Sequence, residues 1–167
     1  MSYLTGSGLT PFGKLPGKSA LDLMSDAATL ALNDAGLEHK DIDGLLCGYA
    51  TTFPHLMLST VFAEHFGLKP DYAHSIQLGG ATGFALVMLA HHLVESGAAE
   101  RILVVAGENR ATGQSRDASV QVLAQVGHPV YEVPLGTTIP AYYGLLASSY
   151  MHKYGYTEAD FAELSVL

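Results

Sequence analysis

The chain of 167 residues is 49% apolar and 14% charged, a balance that excludes a disordered or collagen-like polypeptide. Sixteen acidic against eight basic side chains leave a formal charge of −8, so the basic footprint of a nucleic-acid binder is absent. A folded chain of this length buries roughly 70% of its unfolded surface, enough for one sizeable core without disulfides, and the single cysteine, Cys47, could form none within the chain.

In chain order, the opening Met1 to Gly13 shows no basic segment followed by an apolar one, so no secretory signal is expected. With one cysteine and no signal, a cytoplasmic protein is expected. Ser19 caps a first helix with apolar residues at helical spacing from Ala20 to Ala31, ended by Gly36. Asp41 to Tyr49 reads as a short buried strand, with Gly44 and Gly48 marking close backbone approach. A second helix spans His55 to Phe66 and stops at Gly67. Tyr72 to Leu78 reads as a strand, and Gly79-Gly80 turns sharply into a helix from Ala81 to Glu95, closed by Gly97. Arg101 to Ala106 carries the continuous run Ile102-Leu103-Val104-Val105 of a strand covered on both faces. Strands therefore alternate with helices, the pattern of an α/β fold with a mostly parallel sheet.

Glu108 to Leu135 has little periodicity and many turn residues, as expected of a long functional excursion. A helix resumes near Thr138 and stops near Gly155, and Thr157 with Asp160 starts another in capping-box fashion. No repeat, low-complexity tract or charge run marks a domain boundary, so residues 1–167 are expected to form one domain. The longest apolar run, Phe84 to Ala90, is far short of the roughly 20 residues of a spanning helix.

Several motifs dissolve on inspection. Gly6-Ser7-Gly8 precedes Pro11 and Gly13 rather than a helix, which removes it as a phosphate loop. Asp41 and Asp43 lack the remaining ligands of a calcium loop, and the eight histidines are too scattered for a zinc site. Cys47, inside an apolar strand, reads as a small core hydrophobe.

The constellation with chemical content is Tyr72 to Gly107: strand, glycine junction, a helix apolar all round, then the buried strand. A helix apolar on every side is expected to be central and buried. Its amino terminus gathers unpaired amides and about half a positive charge, suited to a thiolate or an oxyanion; a bare tight turn is the plain alternative.

Taken in order, Gly8-Leu9-Thr10-Pro11-Phe12-Gly13-Lys14, Asp41-Ile42-Asp43-Gly44-Leu45, Gly83 with its helix, Gly97, and Val104 to Asn109 resemble the thiolase superfamily. Within it, the closer likeness is to the thiolase-like lipid-transfer branch related to sterol-carrier-protein-x. The resemblance implies an α/β fold equivalent to one βαβαβαββ half with a buried central helix, and Gly8 to Lys14 would be its first strand and loop. In that family a cysteine opens the buried helix in the pattern Cys, small, small, Gly. Here those positions read Gly80-Ala81-Thr82-Gly83. A glycine has nothing to form an acyl-enzyme with.

The resemblance further implies a CoA thioester or lipid-like acyl group as substrate, no resident cofactor or metal, and Gly79, Gly80, Ala81, Asn109 and His128 as substrate-binding candidates. His74, His128, Tyr49 and Tyr72 are candidate bases. The expected reaction class is acyl-CoA acyltransferase, with two alternatives: retro-aldol cleavage of a steroid-type 3-hydroxyacyl-CoA, or a noncatalytic binding or assembly subunit or truncated fragment. The expected partner is a second copy, a second thiolase half, or a small OB-fold/zinc-ribbon protein.

Overall fold

The computed structural model describes residues 1–166. The chain divides into two compact units, Met1–Gln114 and the residues from Ser115 on, and the break falls inside the aperiodic stretch.

The first unit is built around a three-stranded parallel sheet. Its strands are β1 (Gly44–Gly48), β2 (Tyr72–Ile76) and β3 (Ile102–Val105), in the order β2-β1-β3. Both parallel crossovers are helical: α2 (Leu58–Phe66) joins β1 to β2, and α3 (Thr82–Glu95) carries the chain from β2 over to β3. The helix α1 (Ala20–Ala35) comes before β1; its Ser19 hydroxyl accepts from the Asp22 amide, and the Asp22 carboxylate accepts from the Ser19 amide at 2.8 Å. That reciprocal cap holds the Asp22 carboxyl below its ordinary range.

All five residues of β1 are buried because both its faces are covered. Leu45 and Cys47 point into a cluster with Met24 and Leu32 of α1 and Phe62 of α2. Gly48 faces the other way, and a Cβ added there would lie 3.5 Å from Thr82 and 3.6 Å from Leu86 of α3. The layers are thus α1 and α2, the sheet, and α3. Asp43 fixes the register of β3 by accepting the amides of Glu100 and Arg101, both at 2.7 Å.

The α/β class and the parallel sheet match the sequence reading, and the differences are local. Gly8 to Lys14 forms no strand: Gly8 is pressed against α1 so closely that a Cβ would lie 2.1 Å from the Ala27 carbonyl. The helix α3 is covered on one side only. Thr82 and Leu86 are buried on the sheet, whereas Phe84, Val87 and Met88 are 80%, 48% and 62% exposed. An apolar circumference gives a helix two faces to bury, and among the described residues Phe84, Val87 and Met88 stay exposed on the second.

In the second unit, the expected aperiodic excursion contains a helix, α5 (Arg116–Ala124), after a single turn, α4 (Arg110–Gly113), that closes the first unit. The Ser115 hydroxyl caps α5 by accepting from the Ala118 amide at 3.2 Å, and nine residues are too few to show a clear period. Then follow α6 (Ile139–Tyr154), ended by Gly155, and α7 (Glu158–Val166). The expected start of α7 is present, the Thr157 amide and hydroxyl donating to Asp160 at 2.6 and 2.8 Å.

One comparison tests this layering. Phe62→Ala empties a fully buried site and should cost about 3–5 kcal/mol, while Phe84→Ala on the open face of α3 should stay within about 0.5 kcal/mol. Urea unfolding of the two variants reads the difference.

Candidate functional site at the start of α3

The junction between β2 and α3 is a 3-10 turn, Gly79–Ala81, leading directly into the helix. Gly79 needs its glycine, since its φ of 54° lies in the left-handed region. Thr82 locks the turn: its hydroxyl donates to the Gly79 carbonyl at 2.8 Å and accepts from the Leu78 amide at 3.0 Å, and the side chain is buried. Gly79, Gly80 and Ala81 are exposed above this lock. Ala81, at the N-cap position, has no side-chain oxygen to offer the first amides of α3. The start of this 14-residue apolar helix therefore has no capping side chain; the Ala81 and Thr82 amides are paired to the carbonyls of Leu78 and Gly79, which leaves the exposed Gly79 and Gly80 amides and the partial positive charge of the helix end.

Gly80 has open space where a side chain would sit, with nothing within 4 Å of a built Cβ, and its φ is outside the left-handed region. The glycine is not forced by the backbone. The one thiol is elsewhere: Cys47 is fully buried in β1, and desolvation pushes it up to about 12. At neutral pH it holds no useful thiolate, as its strand position suggests.

A second polar group, which the sequence did not reveal, lies at the carboxyl ends of β1 and β3. The Glu108 carboxylate, following β3, accepts from the Thr51 hydroxyl, from the Thr52 amide at 2.9 Å and hydroxyl at 3.0 Å, and from Arg110 Nε at 3.0 Å. Arg110 Nε also reaches the Thr51 hydroxyl at 3.0 Å. The Thr and Glu partners are 56 and 57 residues apart in sequence, so no local motif could signal them.

The remaining candidates separate. Asn109 is 5% exposed, and its amide donates to the main-chain carbonyls of Leu15 and Lys18 at 3.1 and 2.6 Å, fastening the loop before α1. Its Oδ1 is buried with no donor. His128 belongs to the second unit, where its Nδ1 accepts from the Val130 amide at 3.2 Å and its ring stacks on Tyr131 at 4.7 Å. Gly127 beside it is required by crowding, since a Cβ would come 2.5 Å from the Tyr142 hydroxyl. Tyr72 and His74 stand next to each other on β2, ring centroids 4.8 Å apart, and Tyr49 follows β1, half-buried. Among the described residues no group of three His, Cys, Asp or Glu is placed to hold a metal, and no helix is long and apolar enough to cross a membrane.

Comparison with known proteins decides the family. The family described as the thiolase N-terminal domain matches residues 2–166. The chain belongs to the thiolase family. This thiolase-family chain is 28% identical over 167 residues to an acetyl-CoA acetyltransferase of Methanocaldococcus jannaschii, covering 98% of the chain and 42% of the relative. It is 31% identical over 172 residues to a steroid side-chain-cleaving aldolase of Thermomonospora curvata, covering 98% of the chain and 43% of the relative. Among solved structures, the Ltp2-ChsH2(DUF35) aldolase matches with a TM-score of 0.67 at 30% identity, over 95% of this chain and 40% of that one. The chain thus spans well under half the length of these relatives.

Gly80→Cys tests the assignment of the α3 start. The new thiol, exposed at a helix amino terminus, should react with iodoacetamide at pH 8 about 100-fold faster than Cys47 or more. Equal labelling of the two would contradict the placement.

Proposed function

We propose that this chain forms the thioester-binding half of a thiolase-like protein that handles a CoA thioester without an acyl-enzyme, and that its reaction is retro-aldol cleavage of a 3-hydroxyacyl-CoA. The observation that carries the reading is the start of α3: exposed backbone amides at Gly79-Gly80 with no thiol, while Cys47 lies buried in the core. Thiolysis and acyl transfer by the covalent route need a nucleophile there. Retro-aldol cleavage needs only charge stabilisation and a base.

In that reaction a base takes the proton of the C3 hydroxyl and the C3 oxygen becomes a carbonyl. The C2–C3 bond breaks, and its electron pair moves into the thioester as an enolate. The enolate oxygen is the charge that the α3 start would stabilise, as helix amino termini do for anions. Protonation at C2 then gives the shorter acyl-CoA. The identity to the Thermomonospora curvata aldolase and the likeness to the Ltp2-ChsH2(DUF35) aldolase support this class over acyl transfer. No resident cofactor or metal is required by these steps, and the thioester is the substrate. His74, Tyr72, Tyr49 and His128 remain the candidate bases.

A noncatalytic assembly role is the second reading, favoured by the open apolar face of α3 at Phe84, Val87 and Met88. The two-protein name of the Ltp2-ChsH2(DUF35) aldolase supports a hetero-oligomer for this chain as well. A cytoplasmic setting suits its single reduced thiol.

The test is product analysis of the full-length or reconstituted protein given a 3-hydroxyacyl-CoA, and separately a 3-ketoacyl-CoA with free CoA. Retro-aldol products without thiolysis are expected. Thiolysis would overturn the missing-nucleophile argument, and neither reaction would leave the assembly reading.

A further inference from the structure

The cations of the first unit are not all held alike. Lys18, Lys40 and Arg101 spend their terminal nitrogens on surface carboxylates, Asp26 and Glu38 at 2.7 Å and Glu100 at 4.0 Å. Arg110 is held from the other end. Its Nε donates to Glu108 and to the Thr51 hydroxyl, each at 3.0 Å, and among the described residues nothing accepts from Nη1 or Nη2. The outer fork of the guanidinium, with its terminal N–H groups, is therefore unspent.

The clamp that holds Nε is itself complete. Glu108 accepts from the Thr51 hydroxyl, the Thr52 amide and hydroxyl, and Arg110 Nε. A carboxylate has about four lone-pair sites, so none is left to draw the fork back. The backbone under Arg110 is fixed as well. Asn109 is buried with its side-chain amide on the carbonyls of Leu15 and Lys18, the Gly113 amide donates to the Asn109 carbonyl at 2.7 Å, and the Leu15 amide donates to the Thr112 hydroxyl at 2.7 Å. With base and Nε both held, the fork has little freedom to lose on binding.

Its place on the sheet limits what reaches it. Ala106, just after β3, and Thr82, in the first turn of α3, both stand against Gly48, where a built Cβ would lie 2.8 and 3.5 Å from them. Thr51 and Thr52, which carry the clamp, follow Gly48 in the chain. The start of α3 and the clamped fork thus belong to the same end of the sheet, after β2 and β3, strands that flank β1 and lie about 10 Å apart. A CoA phosphate is separated from its thioester by the whole pantetheine arm. An acyl chain leaves the thioester directly and covers a span of that order.

We propose that Arg110 is the receptor for the far end of the acyl group: its free fork takes the carboxylate of an acyl-CoA whose chain ends in a second carboxyl group. A planar, two-oxygen anion matches the fork with parallel N–H···O bonds. The contact rests on the thioester lying at the start of α3, as proposed above, and adds that the acyl group comes from a dicarboxylic acid.

The test compares suberyl-CoA with octanoyl-CoA, the same chain with and without the far carboxylate, on the full-length or reconstituted protein. Calorimetric titration should show suberyl-CoA binding about tenfold more tightly, and Arg110→Gln should abolish that preference. In the unmutated protein carrying isotope-labelled arginine, the Arg110 Nε–H signal should shift with suberyl-CoA and stay in place with octanoyl-CoA, a readout that requires no variant to fold. Equal affinities with the Arg110 signal unmoved would overturn the proposal, and shifts at the Gly79 and Gly80 amides with both compounds would then leave the thioester reading standing. An Arg110 shift with both compounds, or an equal loss of both affinities in Arg110→Gln, would put a CoA phosphate at the fork and overturn it too. An Arg110 shift with suberyl-CoA alone and no shift at Gly79 or Gly80 would keep the carboxylate contact and overturn the thioester placement. Binding of neither compound would overturn both.

Discussion

Everything in the first unit depends on β1 being buried on both faces and hydrogen-bonded on both edges at once. Leu45 and Cys47 go to the α1 and α2 layer, and Gly44, Leu46 and Gly48 to the α3 side. The two glycines set how close the neighbours come: a Cβ at Gly44 would lie 2.8 Å from Ile102, and one at Gly48 2.8 Å from Ala106. With β1 central, the chain must leave to one side through α2 and return to the other through α3. That reversal of direction opens the crevice at the carboxyl ends of β1 and β3, the ordinary place for a ligand in an open parallel sheet. The Glu108, Thr51, Thr52 and Arg110 network ties the two strand ends together there.

Chemistry follows from what this scaffold leaves out. The turn at Gly79–Ala81 is locked from below by Thr82 and open above, with the Gly79 and Gly80 backbone exposed and no thiol beside it. The space beside Gly80 shows that glycine is not a backbone necessity at that point. Backbone donors without a thiol are the reason the proposed reaction is enolate chemistry rather than covalent acyl transfer.

The elements legible in the sequence were those with strong local signals. Ser19 and Gly36 bracket α1, Ile102 to Val105 reads as a doubly covered strand, and Gly79-Gly80 marks the turn into α3. The fate of Cys47 was legible for the same reason, being set by its strand. What could not be read depends on partners far away in the chain. The glycines at 6 and 8 look like a loop, and only the surface of α1 explains them. Asn109 is a binding candidate through the family resemblance, and its side-chain amide donates to carbonyls 91 and 94 residues earlier, which no local pattern shows. The circumference of α3 announces two buried faces, but a sequence does not say which polypeptide supplies the second.

In the proposed function the start of α3 engages a thioester oxygen noncovalently. The most direct measurement of that contact is a backbone-amide NMR titration with the ketone analogue of acetyl-CoA, in which a methylene replaces the sulfur and the carbonyl is kept. Saturable, reversible shifts centred on the amides of Gly79 to Gly83 are expected, with Cys47 and the β2 edge unmoved. Shifts centred elsewhere, or none at saturating analogue, would contradict it.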